Sequence, residues 1–429
     1  MKEVFKNLIT NFQERDLPGV YPRDMSVPLN ANRIISLIGP RRAGKTFFLF
    51  DLIKQLRKDI PNERIVYINF EDDRLFALSS NDLAQLPASY YELHPALKNE
   101  TVYFFFDEIQ VAENWELFVR RLFDQEDCQI FLTGSSSKLL SKEIATQLRG
   151  RTLTFHILPL SFREYLQFRE VQVNQYSTHS VAHIKNALDD FIEYGGFPEV
   201  LDQEDAYKHK MLKEYLDLLI YKDLVERYHI QNIGLLRYLV KYCFTNLSTF
   251  FNPKKVFNEL KSQGVQLSKD TLYNYINYLE DAFAIFTVPV HSRSVREQAR
   301  NPKKLYGIDV GLKKIVSVAT DRGNLIENIV FLELKRRHEE ITYLKNDQEV
   351  DFFVRTRNGY QLINVSCQID DTTTLERELQ NLQKAMKKHY ITTSYLVTND
   401  EERVEEMDEG RISIIPLWKF LLGVDQQST

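Results

Sequence analysis

The stretch Arg33-Ile-Ile-Ser-Leu-Ile-Gly39-Pro-Arg-Arg-Ala-Gly44-Lys45-Thr46-Phe47-Phe-Leu-Phe-Asp-Leu-Ile constrains this chain more than any other. An apolar strand pattern runs into a turn punctuated by glycine and then into a helical pattern, the context that a phosphate-binding loop requires. Gly39 and Gly44 let the backbone curl so that its N–H groups point inward, Lys45 can reach β and γ phosphates, and Thr46 can offer its hydroxyl to Mg²⁺. Arg42, Ala43 and Phe47 complete the candidate nucleotide-binding positions, and the positive end of the following helix adds to the pull on an anion. An ordinary glycine-rich turn is the competing reading, and the strand before and helix after weigh against it. Nucleotide hydrolysis is the expectation.

The rest of the N-terminal third agrees. Short apolar runs at Ile34 to Ile38, Arg64 to Phe70, Val102 to Phe106, Gln129 to Thr133 and Thr152 to Ile157 alternate with amphipathic segments. Runs of this length suit strands buried on both faces of a parallel sheet. The expected class is therefore α/β, a P-loop parallel-sheet core, preceded by one short helix and a turn-rich lead-in through Pro18-Gly19, Pro22 and Pro28.

With 429 residues the chain has room for about two to four domains. A net charge of −5 gives no global basic field for nucleic acid, so any such contact must come from a local patch. Cys128, Cys243 and Cys367 lie far apart without CxxC spacing, which argues against zinc and against a disulfide framework. No stretch approaches the ~18 apolar residues of a membrane span, and the N-terminus lacks a signal arrangement. A cytoplasmic protein with no membrane partner is expected.

Four segments are expected: a core over 1–158, a helical lid over 159–232, a winged helix-turn-helix over 233–320 and a third α/β unit over 321–429. The lid is broken at Tyr194-Gly195-Gly196-Phe197-Pro198. In the third segment Asn252-Pro253 starts one short helix, Ser268 caps a second over Lys269 to Asp281, and Ala284 to Val290 with Lys304 to Ile308 read as the strands of a wing. The wing candidate carries Arg293, Arg296, Arg300, Lys303 and Lys304 against the single acid Glu297. With Lys269 these are the candidate DNA contacts; a solvated loop or a subunit contact would use the same residues. The acidic run Asp400 to Glu409 reads as a solvated surface segment.

Val102 to Phe106 ends in Asp107-Glu108, two acids where a buried strand emerges. Asp107 is expected to hold Mg²⁺ directly or through water, and Glu108 to orient and deprotonate the attacking water. Beyond Thr133, Gly134-Ser135-Ser136-Ser137 brings polar side chains toward a γ-phosphate. Ser135 is the preferred sensor, with helix capping as the alternative. Arg149 and Arg151 offer guanidinium groups for transition-state charge, Arg151 as a candidate arginine finger or as a surface ion pair.

Ile38-Gly-Pro-Arg-Arg-Ala-Gly-Lys-Thr46, Asn69-Phe-Glu71-Asp72, Phe106-Asp-Glu108, Leu132-Thr-Gly-Ser135, Leu148-Arg-Gly-Arg151 and Pro159-Leu-Ser-Phe162 together resemble the prokaryotic AAA+ ATPases of the archaeal and bacterial DExx group. Gly195-Gly-Phe-Pro198 and Lys304-Leu-Tyr-Gly-Ile-Asp309-Val-Gly311-Leu312 look like that family's C-terminal region, whose fold is similar to a restriction-endonuclease domain. The resemblance implies ATP rather than GTP, Mg²⁺, an oligomer with a hexameric ring favoured, and Glu71 and Asp72 at the family's acidic position. In the terminal domain Glu327 and Asp351 fit two acidic positions of a metal-dependent nuclease. The third place reads Asn364 and Ser366 where an acid and a lysine are needed, so a catalytically inactive domain that binds a partner or DNA, or stabilises an oligomer, is expected.

Overall fold

The computed structural model describes residues 1–76, 78–135, 148, 150–317, 321–345, 349–357, 359–367 and 372–424. The chain forms two compact units, Met1–Leu158 and Pro159–Thr429.

The first unit is built on five parallel strands: β1 (Ile34–Ile38), β2 (Ile65–Asn69), β3 (Val102–Asp107), β4 (Cys128–Gly134) and β5 (Thr152–His156), in the order β2-β3-β4-β1-β5. β1 and β3 are buried along their whole length, as their unbroken apolar runs require. Phe105 and Phe131 stack in register across β3 and β4 with ring centroids 4.5 Å apart. Helix Lys45–Leu56 turns Phe48, Leu49, Leu52 and Ile53 into this core. Helix Lys2–Glu14 adds Phe12, which stacks on Tyr67 of β2. The order places β4 between β1 and β3, so the carboxyl ends of all three meet, the position at which open α/β sheets bind ligands.

The second unit holds two sheets. β6 (Thr249–Phe251), β7 (Ile285–Val288) and β8 (Lys303–Gly307) form an antiparallel sheet in the order β6-β8-β7, beside helices Ile233–Thr245, Pro253–Ser262 and Lys269–Asp281. The caps are those the sequence calls for: Asn252 accepts from the N–H groups of Lys254 and Lys255, and Ser268 from that of Thr271. A mixed six-stranded sheet follows, from β9 (Ile341–Leu344), β10 (Val350–Thr356), β11 (Gly359–Val365), β12 (Thr393–Thr398), β13 (Arg403–Met407) and β14 (Gly410–Pro416), with β13 and β9 at its edges. β6, β13, β14 and helix Leu417–Leu422 have no counterpart in the sequence reading. The acidic run, expected as a plain surface segment, supplies β13. Its charges suit an edge strand, since they oppose pairing with another chain.

Two glycine-rich motifs of the second unit meet at one carboxylate. Asp309 is buried and accepts hydrogen bonds from Gly196 N at 2.7 Å and Gly311 N at 2.8 Å. Burial pushes its carboxyl up to about 7 against the pull of those N–H groups. Gly195 has φ +77°, and a Cβ there would overlap the Asp309 carboxyl; one on Gly311 would overlap the Tyr194 carbonyl. The glycines are thus required by close approach and, at 195, by positive φ. Gly195→Ala is expected to lower the stability of this unit by about 2 kcal/mol or more. Urea denaturation followed at Trp418 in a Trp115→Phe background measures it; an unchanged midpoint would remove the clasp from the account.

Candidate functional site

The loop after β1 is shaped by two residues at positive φ, Arg42 (67°) and Gly44 (93°). Successive backbone N–H groups in such a conformation form an anion-binding concavity. Gly39 answers a different need from the one expected of it. A Cβ there would overlap the carbonyl oxygen of Ile157, which enters beside the loop as Ile157 N bonds Ile38 O at 2.7 Å. Arg23, in the lead-in, props the loop from behind by donating to the carbonyls of Ala43 at 3.0 Å and Leu158 at 2.6 Å. Ala43 is buried, while Arg42 and Phe47 are exposed.

Lys45 is buried, with Nζ donating to the carbonyls of Gly39 at 3.2 Å and Pro40 at 3.1 Å and lying 3.3 Å from Glu108 Oε1. Thr46 Oγ1 donates to Asp107 Oδ2 at 2.7 Å, and Tyr67 Oη donates to the same oxygen at 2.8 Å. Thr133, on the strand between, donates through its hydroxyl to Asp107 Oδ1 and accepts the Glu108 N–H at 2.9 Å. Glu108 sits in the left-handed region at φ 51° and takes a hydrogen bond from Gln110. A non-glycine residue held there costs of order 1–3 kcal/mol and persists where its surroundings impose it.

The two acids are driven apart electrically. Burial raises the Asp107 carboxyl above the usual range and the neighbouring Glu108 charge adds to the rise, against hydrogen bonds from Thr133, Thr46 and Tyr67. Burial acts the same way on Glu108, but the Lys45 ammonium, the Gln110 hydrogen bond and the Arg41 charge together outweigh it and hold that carboxyl below the usual range. Burial and the Asp107 charge raise the Tyr67 hydroxyl well above its ordinary value, so it remains a donor. The Thr46 hydroxyl and the Asp107 carboxylate are hard oxygen donors held in contact, a set that fits Mg²⁺ beside phosphate.

Of the other expected residues, Glu71 pairs with Arg41 of the loop at 2.9 Å, whereas Asp72 caps the turn Asp73–Leu75 and pairs with Arg74. Ser135 is buried just past β4, but the hydroxyl that touches both acids is that of Thr133. Arg151 lies 3.0 Å from Asp124, the surface ion pair left open above; Arg149 is outside the described residues. Lys269, Arg293, Arg296, Arg300 and Lys303 are exposed. Lys304 corrects the expectation: it is 5% exposed and sits between Glu327 and Asp351, unavailable to nucleic acid, because the alternation of β8 turns it inward where Lys303 turns outward. Tyr67, Thr133, Gln110, Arg41 and Arg23 escaped the sequence reading. Only Thr133 carried a signal, as the polar last residue of an apolar strand run.

Residues 31–166 match the AAA domain family (AAA_14). Residues 185–322 and 322–420 match two domains of unknown function, DUF8612 and DUF4143. The first unit is thus an AAA-type P-loop ATPase domain. The chain is 39% identical over 428 residues to the uncharacterized protein MJ1544 of Methanocaldococcus jannaschii, covering 97% of this chain and 94% of that one. It is 30% identical over 373 residues to an uncharacterized protein of Haemophilus influenzae, covering 86% and 90%. Among solved structures, the Walker-type ATPase PABY2304 of Pyrococcus abyssi is similar over 74% of this chain and 95% of its own, at 14% identity and a TM-score of 0.44. The chain belongs to the family of the M. jannaschii protein MJ1544.

Thr133→Val should remove the hydroxyl shared by Asp107 and Glu108 and leave two buried polar groups short of a partner. The expected loss is about 1–3 kcal/mol of stability in the first unit, read from denaturation followed at Trp115 in a Trp418→Phe background, with Thr133→Ser close to wild type. Equal midpoints for Val and Ser would show that the hydroxyl is dispensable.

Proposed function

We propose that this protein is a Mg²⁺-dependent ATP hydrolase, acting as an oligomeric ring motor on DNA, with a hexamer favoured. The observation that carries the hydrolase reading is the single network of Lys45, Thr46, Asp107, Glu108 and Thr133 at the carboxyl ends of β1, β3 and β4. ATP entering the loop would draw Lys45 from the Gly39 and Pro40 carbonyls to the β and γ phosphates. That movement breaks the Lys45–Glu108 pair and leaves the Glu108 carboxylate to orient the attacking water and take its proton. Thr46 and Asp107 would hold Mg²⁺, which supplies charge neutralisation on the phosphate oxygens. Ser135 is the proposed γ-phosphate sensor beside Thr133. Arg149 or Arg151 would reach a neighbouring subunit's nucleotide, Arg151 by exchanging Asp124 for phosphate.

Within the second unit we assign a lid to residues 159–232, a winged helix to 233–320 and a catalytically inactive nuclease-like domain to 321–429. The antiparallel β7-β8 pair, with the basic stretch Arg293 to Arg300 between its strands and Lys303 opening β8, supports the winged-helix reading. Its exposed Arg293, Arg296, Arg300 and Lys303, with Lys269, are the proposed phosphate contacts. Free thiols at Cys128, Cys243 and Cys367, and no helix among the described residues long and apolar enough to cross a membrane, support a cytoplasmic setting. The Lys45–Glu108 pair also favours a second reading, an ATP-dependent switch that exposes a protein-binding surface, since nucleotide binding alone would break it.

Steady-state ATP hydrolysis with and without duplex and branched DNA, beside Glu108→Gln, tests both. Glu108→Gln should keep ATP binding and lose activity by about 10²-fold or more. DNA should stimulate the wild type; hydrolysis indifferent to DNA would sink the motor and leave the switch. Replacing Arg293, Arg296 and Arg300 together by alanine should weaken DNA binding and flatten the slope of log affinity against log salt by up to about 3. An unchanged slope would move the DNA surface elsewhere.

A further inference from the structure

A cation is already built into the carboxylate cluster of the nuclease-like domain. Glu327 lies on helix Arg322–Arg337, Asp351 on β10 and Asn364 on β11, the three places at which a metal-dependent nuclease of the expected fold carries its ligands. The carboxylates of Glu327 and Asp351 converge on the ammonium of Lys304, which enters from β8. Lys304 Nζ donates to Asp351 Oδ1 at 2.7 Å and to Glu327 Oε1 at 3.0 Å, with all three side chains at least four-fifths buried. Tyr306, two residues on along β8, donates to Glu327 Oε1 at 2.7 Å.

Polar atoms of Asp351 and Asn364 are also committed within the chain. Asp351 Oδ2 accepts the Val365 N–H at 2.9 Å, Asn364 Oδ1 accepts the Asp351 N–H at 2.8 Å, and Asn364 Nδ2 donates to Glu378 at 2.8 Å. Asn364, at the place of the third acid, thus ties β10 to helix Thr372–His389 instead of adding charge. Burial works against the Lys304 ammonium, but the Asp351 and Glu327 charges outweigh it and lift its pKa well above the ordinary lysine value. The side chain is therefore a permanent cation. Burial and the Asp351 charge push the Glu327 carboxyl up to about 7, with Lys304 pulling the other way. A divalent ion held by the same oxygens would meet the ammonium at contact distance, where like charges in a poorly solvated site repel strongly. Among the described residues no group of three or more His, Cys, Asp and Glu side chains is arranged to hold a metal ion.

We propose that Lys304 is a resident replacement for a divalent cation: it fills the Glu327–Asp351 site and thereby fastens the three-stranded sheet to the nuclease-like domain. The same β8 strand is held one step further on by Asn328, whose fully buried amide accepts from Gly307 N at 2.7 Å and donates to Gly307 O at 3.0 Å. The domain's two acids serve a strand, not a substrate, and they do so whether or not the ATPase acts on DNA. A buried carboxylate pair stripped of the ammonium it hydrogen-bonds is strongly unfavourable. The site would then take up an external divalent ion that the wild type refuses.

The test uses full-length protein without nucleotide, in an Asp107→Asn, Trp115→Phe background that removes an acid from the phosphate site and leaves Trp418 to report unfolding of the second unit. Wild-type Lys304 should give the same urea midpoint in EDTA and in Mn²⁺. Lys304→Ala should have a lower midpoint in EDTA and recover much of it in Mn²⁺, and adding Asp351→Asn should abolish that recovery. If Lys304→Ala does not fold, Lys304→Gln, which keeps length and a hydrogen-bonding end, carries the same comparison. A Mn²⁺ gain in the wild type that Asp351→Asn removes, or a Lys304 variant whose midpoint ignores Mn²⁺, would overturn the proposal.

Discussion

The hydroxyl of Thr133 holds the nucleotide site of this protein in register. It donates to Asp107 and accepts the N–H of Glu108, so one side chain on β4 fixes two consecutive residues at the end of β3. The strand order makes this possible, because β4 lies between β3 and the strand that carries the phosphate loop. Thr46 then reaches Asp107 across that gap, and Lys45 reaches Glu108. The left-handed backbone of Glu108 is the cost of turning two neighbouring acids to different partners, Asp107 toward Thr46 and Glu108 toward Lys45.

Lys45 is satisfied by its own loop's carbonyls and by Glu108. The lysine and the acid neutralise each other in a buried site.

The second unit uses buried charge for assembly. Asp309 gathers the Gly195-Gly196 turn and the start of helix Val310–Val316, while Lys304 gathers helix Arg322–Arg337 and β10. Each places an ionisable group where the surrounding chain supplies hydrogen-bond partners, which converts a costly burial into a fixed geometry. Motifs that read as functional signatures, the paired glycines and the acids of the terminal domain, thus have a structural use in this chain.

Much of this was legible in the sequence. The five core strands, the phosphate loop, the Asp107-Glu108 pair and the caps at Asn252 and Ser268 follow from periodicity and local chemistry, because a buried parallel strand must be apolar throughout and a helix start must satisfy its own N–H groups. β13 was hidden by its charge, since an edge strand needs only one paired side and tolerates acids that composition assigns to loops. Tyr67, Thr133 and Arg23 were hidden because each acts across strands or from a distant segment, and no local pattern records who faces whom. Lys304 is the clearest case. Its preceding neighbour Lys303 is basic and exposed, and a single step along β8 reverses the direction of a side chain, so only the packed sheet decided that Lys303 meets water and Lys304 meets two carboxylates.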